Sequence, residues 1–150
     1  MPNTQVTILL VEDDPGHSRL IEKNLRRSGI TNEIVMAFDG QAAIDYLFGE
    51  GKHTGAQRSS LLVLLDLNLP VLDGYQVLRR MKGDERTKHI PVVVLTTTDD
   101  AREVGRCYEL GCNVYITKPV DYEQFAEAMR KLGLFLMVVM IPEGRPAGNG

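Results

Sequence analysis

The chain of 150 residues has no tryptophan and two cysteines, Cys107 and Cys112. Their C-x4-C spacing, with no histidine beside it, suits neither a zinc site nor a disulfide framework, so reduced thiols and a cytoplasmic setting are expected. Basic charge is also short. The 17 Lys and Arg face 20 Asp and Glu, a formal net charge of −3, which argues against a nucleic-acid arm or a polybasic membrane surface. The opening segment, MPNTQVTILLVEDD, lacks the basic n-region of a signal peptide. The longest apolar run, Leu132 to Ile141, is too short to span a bilayer. What remains is an ordinary globular composition, 43% hydrophobic and 25% charged, which excludes intrinsic disorder. The length predicts one domain over 1–141, with an apolar extension at its C-terminal end and a flexible tail over 142–150.

Five apolar stretches rich in β-branched residues stand out: Val6 to Val11, Glu33 to Phe38, Leu61 to Leu65, Val92 to Leu95 and Val114 to Thr117. They are apolar at successive positions instead of alternating, as expected of parallel strands covered on both faces by helices. Amphipathic stretches follow each of them: Gly16 to Ser28, Gln41 to Gly49, Gly74 to Lys82, Ala101 to Leu110, and Tyr122 onward. Asp14, Asp39, Asp73, Asp100 and Asp121 stand where each helix should start, each a candidate N-cap. The alternation predicts an α/β fold, a three-layer flavodoxin-like, doubly wound (βα)5 parallel sheet in the order 2-1-3-4-5. The polar, Gly-rich segment from Gly49 to Ser60 reads as a surface loop.

In such a sheet ligands bind outside the carboxyl ends of the strands. Four of the five predicted strands end in a reactive group: Glu12-Asp13, Asp66, Thr96 and Lys118. With the first and third strands adjacent, Glu12, Asp13 and Asp66 share one rim, where three carboxylates repel unless a divalent cation offsets them. Magnesium suits one or two carboxylates plus water and phosphate oxygens, and a carboxylate can accept a phosphoryl group. Lys118 and Thr96 would meet the phosphoryl oxygens opposite the metal. Plainer readings compete. Glu12, Asp13 and Asp14 also fit a solvated acidic loop, with Asp14 an N-cap; Lys118 can snorkel; Thr96, Thr97 and Thr98 can cap a helix; and Tyr115 fits core packing. His17, His53 and His89 share no ligand spacing and read as surface residues, and the cysteines read as small buried hydrophobes.

The motifs ILLVEDD, LLDLNLPVLDG around Asp66, VVVLTT and ITKP, in that order and spacing, resemble the response regulator receiver domain of two-component signalling over Val6 to about Leu132. The resemblance implies that Asp66 is the phosphoacceptor for a phosphohistidine of a sensor histidine kinase. It implies Glu12 (through water), Asp13, Asp66 and the Asn68 carbonyl around Mg2+ or Mn2+. Thr96 and Lys118, the latter before Pro119, whose peptide bond is usually cis in the family, would grip the phosphoryl group. Tyr115 matches the aromatic switch position, and Thr97 stands where many members carry Ala or Ser. Such a domain is no ordinary enzyme: it catalyses only its own phosphorylation and slow dephosphorylation. The long loop and LDLNLPVLDG are similar to single-domain regulators that partner bacterial phytochromes, which makes a bacteriophytochrome the candidate kinase.

Three rivals fit less well. A haloacid-dehalogenase-type phosphatase needs a second Asp where Asn68 stands, a pseudo-receiver would have lost a site residue, and a nucleotide-binding domain wants more glycine than VEDDPGH holds. No DNA-binding output segment is read from the sequence, so output is expected through protein contacts, a phosphate relay or competition for the kinase's phosphoryl groups. The run from Leu132 to Ile141 exceeds what the fifth helix needs to cover the sheet. It predicts a two-fold homodimer through that helix and the extension, against the alternative of a segment folded back on its own domain.

Overall fold

The structure, a computed structural model, describes residues 6–27, 29–49, 60–97, 100–118 and 122–132. Strands and helices alternate: β1 (Thr7–Val11), α1 (Pro15–Arg27), β2 (Ile34–Ala37), α2 (Gly40–Phe48), β3 (Leu61–Asp66), α3 (Gly74–Lys82), β4 (Val92–Thr96), α4 (Ala101–Glu109), β5 (Val114–Thr117) and α5 (Tyr122–Leu132). All neighbouring strands are parallel, in the order β2-β1-β3-β4-β5. The apolar extension beyond Leu132, the tail, residues 50–59, Thr98, Pro119 and Asp121 lie outside the described residues.

Successive side chains of a strand point to opposite faces, so the unbroken apolar runs feed two cores. Leu9, Val11, Val63, Leu65, Val92 and Val94 pack with Ala43, Ile44 and Leu47 of α2, Val77, Leu78 and Met81 of α3, and Cys107 of α4. Ile8, Leu10, Leu62, Leu64, Val93 and Leu95 pack with Ile21 and Leu25 of α1 and Phe125 and Ala128 of α5. The central strands are buried along their whole length, whereas the edge strands β2 and β5 are only partly buried. Both cysteines are buried and free, as expected.

Four of the expected N-caps are in place. Asp14 Oδ1 accepts from the Gly16 and His17 N–H groups, Asp39 from Ala42 and Asp100 from Arg102, while Asp73 forms a reciprocal capping box with Gln76. Two glycines bring helix starts against the rim. A Cβ on Gly74 would lie 2.4 Å from the Asp66 carbonyl oxygen, and one on Gly40 would lie 2.0 Å from that of Leu72. The Asp-Gly pair at 73–74 is therefore what lets α3 begin directly beneath the end of β3. Among the described residues no helix is long and apolar enough to cross a membrane.

Candidate functional site

β1, β3, β4 and β5 all end at one rim, and parallel register brings Glu12, Asp66, Thr96 and Lys118 there. A cavity of about 240 Å³ opens between the strand ends, lined by Glu12, Asp13, Asp14, His17, Asp66, Asn68, Thr97 and Lys118. Glu12 and Asp66 are buried, with side chains 1% and 7% exposed, while Asp13 reaches solvent. Lys118 reaches over from β5. Its ammonium donates a hydrogen bond to Glu12 Oε1 and lies 3.5 Å from Asp66 Oδ2. The Lys118 N–H donates to the Thr96 carbonyl at 2.8 Å, which ties the ends of β4 and β5 together. Asp66 Oδ1 also accepts from the Asn68 N–H at 3.3 Å.

The two buried acids are driven apart electrostatically. Burial raises the Glu12 carboxyl, but the Lys118 hydrogen bond, the Asp14 N–H and the Lys118 charge outweigh it and hold Glu12 below its usual value. For Asp66, burial together with the Glu12 charge prevails over Lys118 and pushes the pKa up to about 6. Lys118 thus serves two buried carboxylates and satisfies one of them better than the other. More positive charge is called for here.

A hard divalent cation fits that demand. One oxygen from each of Glu12, Asp13 and Asp66 lies within 4.8 Å of the other two. Ligands on opposite sides of a cation with bonds of about 2.1 Å stand about 4.2 Å apart, so small side-chain adjustments close the set. The donors are oxygens, and Mg2+ or Mn2+ is the cation they suit. The Asn68 side chain is exposed beside this set.

Thr96 is buried as the last residue of β4, and the hydroxyl residue lining the cavity is its neighbour Thr97. Tyr115 is half-buried and packs against the core cluster that holds Val94, Cys107 and Cys112. His89 is exposed, as read from the sequence, and His53 lies outside the described residues. His17 is on the surface too, as read, but stands beside the acids. Although its side chain is 54% exposed, it lines the cavity, with Nδ1 at 3.9 Å from Glu12 Oε1 and Nε2 at 3.9 Å from Asp14 Oδ2. The available signal was its place three residues after the N-cap Asp14, in the first turn of a helix that starts at the acidic strand end.

Comparison with known proteins identifies the fold. Residues 8–130 match the model of the response regulator receiver domain. The chain is 39% identical over 141 residues to the response regulator Rcp1 of Synechocystis sp., covering 93% of this chain and 95% of Rcp1. The solved Mn(2+)-bound form of Rcp1 superposes with a TM-score of 0.72, covering 91% of this chain and 99% of that one. A response regulator receiver domain from Rhodospirillum rubrum is 55% identical, with a TM-score of 0.72 and coverage of 94% and 100%. The bacteriophytochrome response regulator AtBRR is 41% identical, with a TM-score of 0.79 and coverage of 87% and 94%.

Proposed function

The chain belongs to the response regulator receiver family, and from that premise we propose that Asp66 accepts a phosphoryl group from a phosphohistidine of a sensor histidine kinase. The observation that carries this is the position of Asp66 beside both the acid pair and Lys118. An Asp66 carboxylate oxygen attacks phosphorus in line, a P–O bond forms as the P–N bond breaks, and the electron pair stays on the departing imidazole, which takes up a proton. Glu12 (through water), Asp13, Asp66 and the Asn68 carbonyl would hold a divalent cation, which would supply charge neutralisation for the incoming oxygens. Lys118 leaves Glu12 to pair with one phosphoryl oxygen, and the Thr96 hydroxyl turns to donate to another.

Once Thr96 has turned, Tyr115 moves into the space it vacates, and the face made by α4, β5 and α5 changes its affinity for protein partners. Likeness to Rcp1 and AtBRR supports a phytochrome-type kinase as donor. The free buried thiols support work in the cytoplasm, and the net charge of −3 supports protein partners over nucleic acid or membrane. The apolar run beyond Leu132 supports a two-fold homodimer through α5 and that extension, which light scattering would report as twice the chain mass.

Intact-mass spectrometry after incubation with acetyl phosphate and Mg2+ tests the assignment. One phosphoryl adduct is expected, absent with EDTA and absent in Asp66→Asn. An adduct retained in Asp66→Asn places the acceptor elsewhere.

A further inference from the structure

His17 lines the cavity, and the phosphoryl transfer does not use its imidazole. We propose that it is a further ligand of the cation site, shifting the preference of the site from oxygen-preferring Mg2+ toward imidazole-accepting first-row ions such as Co2+ and Zn2+.

The inference rests on the acidic rim being a cation site and deepens that reading. Three observations carry it. First, Nδ1 stands 3.9 Å from Glu12 Oε1. Two atoms bound to one cation at about 2.1 Å stand between about 3.0 Å, when adjacent, and about 4.2 Å, when opposite, so Nδ1 is within reach of an ion on Glu12. The ring has to turn to join Asp13 and Asp66, which form the mutually close set with Glu12. Second, the imidazole and all three carboxylates of the acidic set line one cavity. Third, the backbone under His17 is fixed while its ring is not. Its N–H is held by Asp14 Oδ1 at 3.2 Å in the first turn of α1, yet the side chain is 54% exposed and can turn toward the carboxylates without repacking the core.

The choice of cation follows from ligand chemistry. Imidazole is a good donor for Co2+, Ni2+ and Zn2+, and Mg2+ gains little from it over water. A site built from Glu12, Asp13 and Asp66 alone discriminates weakly among these ions, whereas one that adds His17 favours the imidazole-accepting ones. Asp14 Oδ2 stands 3.9 Å from Nε2, beyond hydrogen-bond distance, and orients the ring from its far side only once the two close in, as carboxylates orient metal-binding histidines elsewhere.

The test uses the full chain and the ions alone. Mg2+ and Co2+ are titrated by calorimetry into the wild type, His17→Ala, His17→Gln and Asp13→Asn. Both His17 variants should lose about tenfold in Co2+ affinity and change less than about twofold for Mg2+. In the wild type, paramagnetic broadening by Co2+ should reach the His17 ring resonances at the first equivalent. Equal Co2+ affinity in the wild type and both His17 variants overturns the proposal, including the case where another histidine, such as the exposed His89, holds the ion. Asp13→Asn should weaken both ions. If it weakens neither, the acidic-rim reading itself fails, an outcome distinct from failure of the role given to His17.

Discussion

At the N-terminal ends of the strands polar side chains meet backbone, and at the C-terminal ends they meet one another. At the first end, Asn32 donates to the Val6 carbonyl at 2.7 Å, and Asn113 accepts from the Val92 N–H at 2.9 Å. Lys82 donates to the Ile90 carbonyl at 2.7 Å, and Thr87 to that of Met81 at 2.7 Å. Each of these contacts ties a loop to its neighbours by satisfying a neutral backbone group, which for the buried Asn32 and Thr87 is how a polar side chain stabilises a fold. At the other end Glu12, Asp66 and Lys118 are charged, buried and matched unevenly, an arrangement in which desolvation offsets much of the mutual attraction. The difference separates residues kept for the fold from residues that make the fold work.

The sharpest way to break this comparison is to remove the shared cation. Lys118→Ala should destabilise the metal-free protein by about 3–5 kcal/mol, because two carboxylates stay buried with no ammonium. Millimolar Mg2+ should restore part of that loss, and urea unfolding with and without the ion reads both. Asn32→Ala, at the opposite end, should cost about 1–3 kcal/mol through the lost buried hydrogen bond. Here Mg2+ should add no more than it adds to the wild type, and acetyl-phosphate labelling should be unaffected.

Asp66→Asn should shift stability the other way, adding about 1–2 kcal/mol to the metal-free protein at pH 7. The sign follows from the carboxyl being raised to about 6 in the folded chain. A raised acid binds more protons folded than unfolded, so its favourable contribution is complete below its usual pKa and is lost as pH rises through about 6. The advantage of Asp66→Asn should therefore shrink between pH 7 and pH 5, measured by thermal melts in EDTA. Glu12, held low, acts oppositely and loses its contribution only in more acidic solution.

The smallest effect concerns the loop that follows Asp66. Val71 has φ of 68°, in a turn closed by the Leu72 N–H on the Pro70 carbonyl at 2.8 Å, and is 76% exposed. A β-branched residue is strained in that conformation, so Val71→Gly should gain about 1 kcal/mol or slightly less, once glycine's extra unfolded-state freedom is counted. Labelling with acetyl phosphate should be unaltered, because Val71 does not line the cavity.

Much of this molecule was legible in its residues. The runs around Leu9, Val63 and Val93 had no polar phase, which only a sheet covered on both faces accommodates, and the aspartates at 14, 39, 73 and 100 marked helix starts through local hydrogen bonds. Glu12, Asp13, Asp66, Thr96 and Lys118 were legible as site candidates because each breaks an apolar run at its end. These are patterns of neighbours in the chain, and neighbours are what a sequence displays. Other features depended on packing. That Glu12 and not Asp66 takes the Lys118 hydrogen bond follows from how β1 and β5 aim their end residues across the rim, over 106 positions of chain. That Thr97 lines the cavity while Thr96 is buried follows from the turn leaving β4. The sequence by itself determined the order of elements, the two-faced core and the rim that carries charge. Only the tertiary structure decided which charges are paired, which carboxyl is raised and that His17 stands among them, because desolvation and Coulomb energy depend on distances through space that spacing along the chain does not encode.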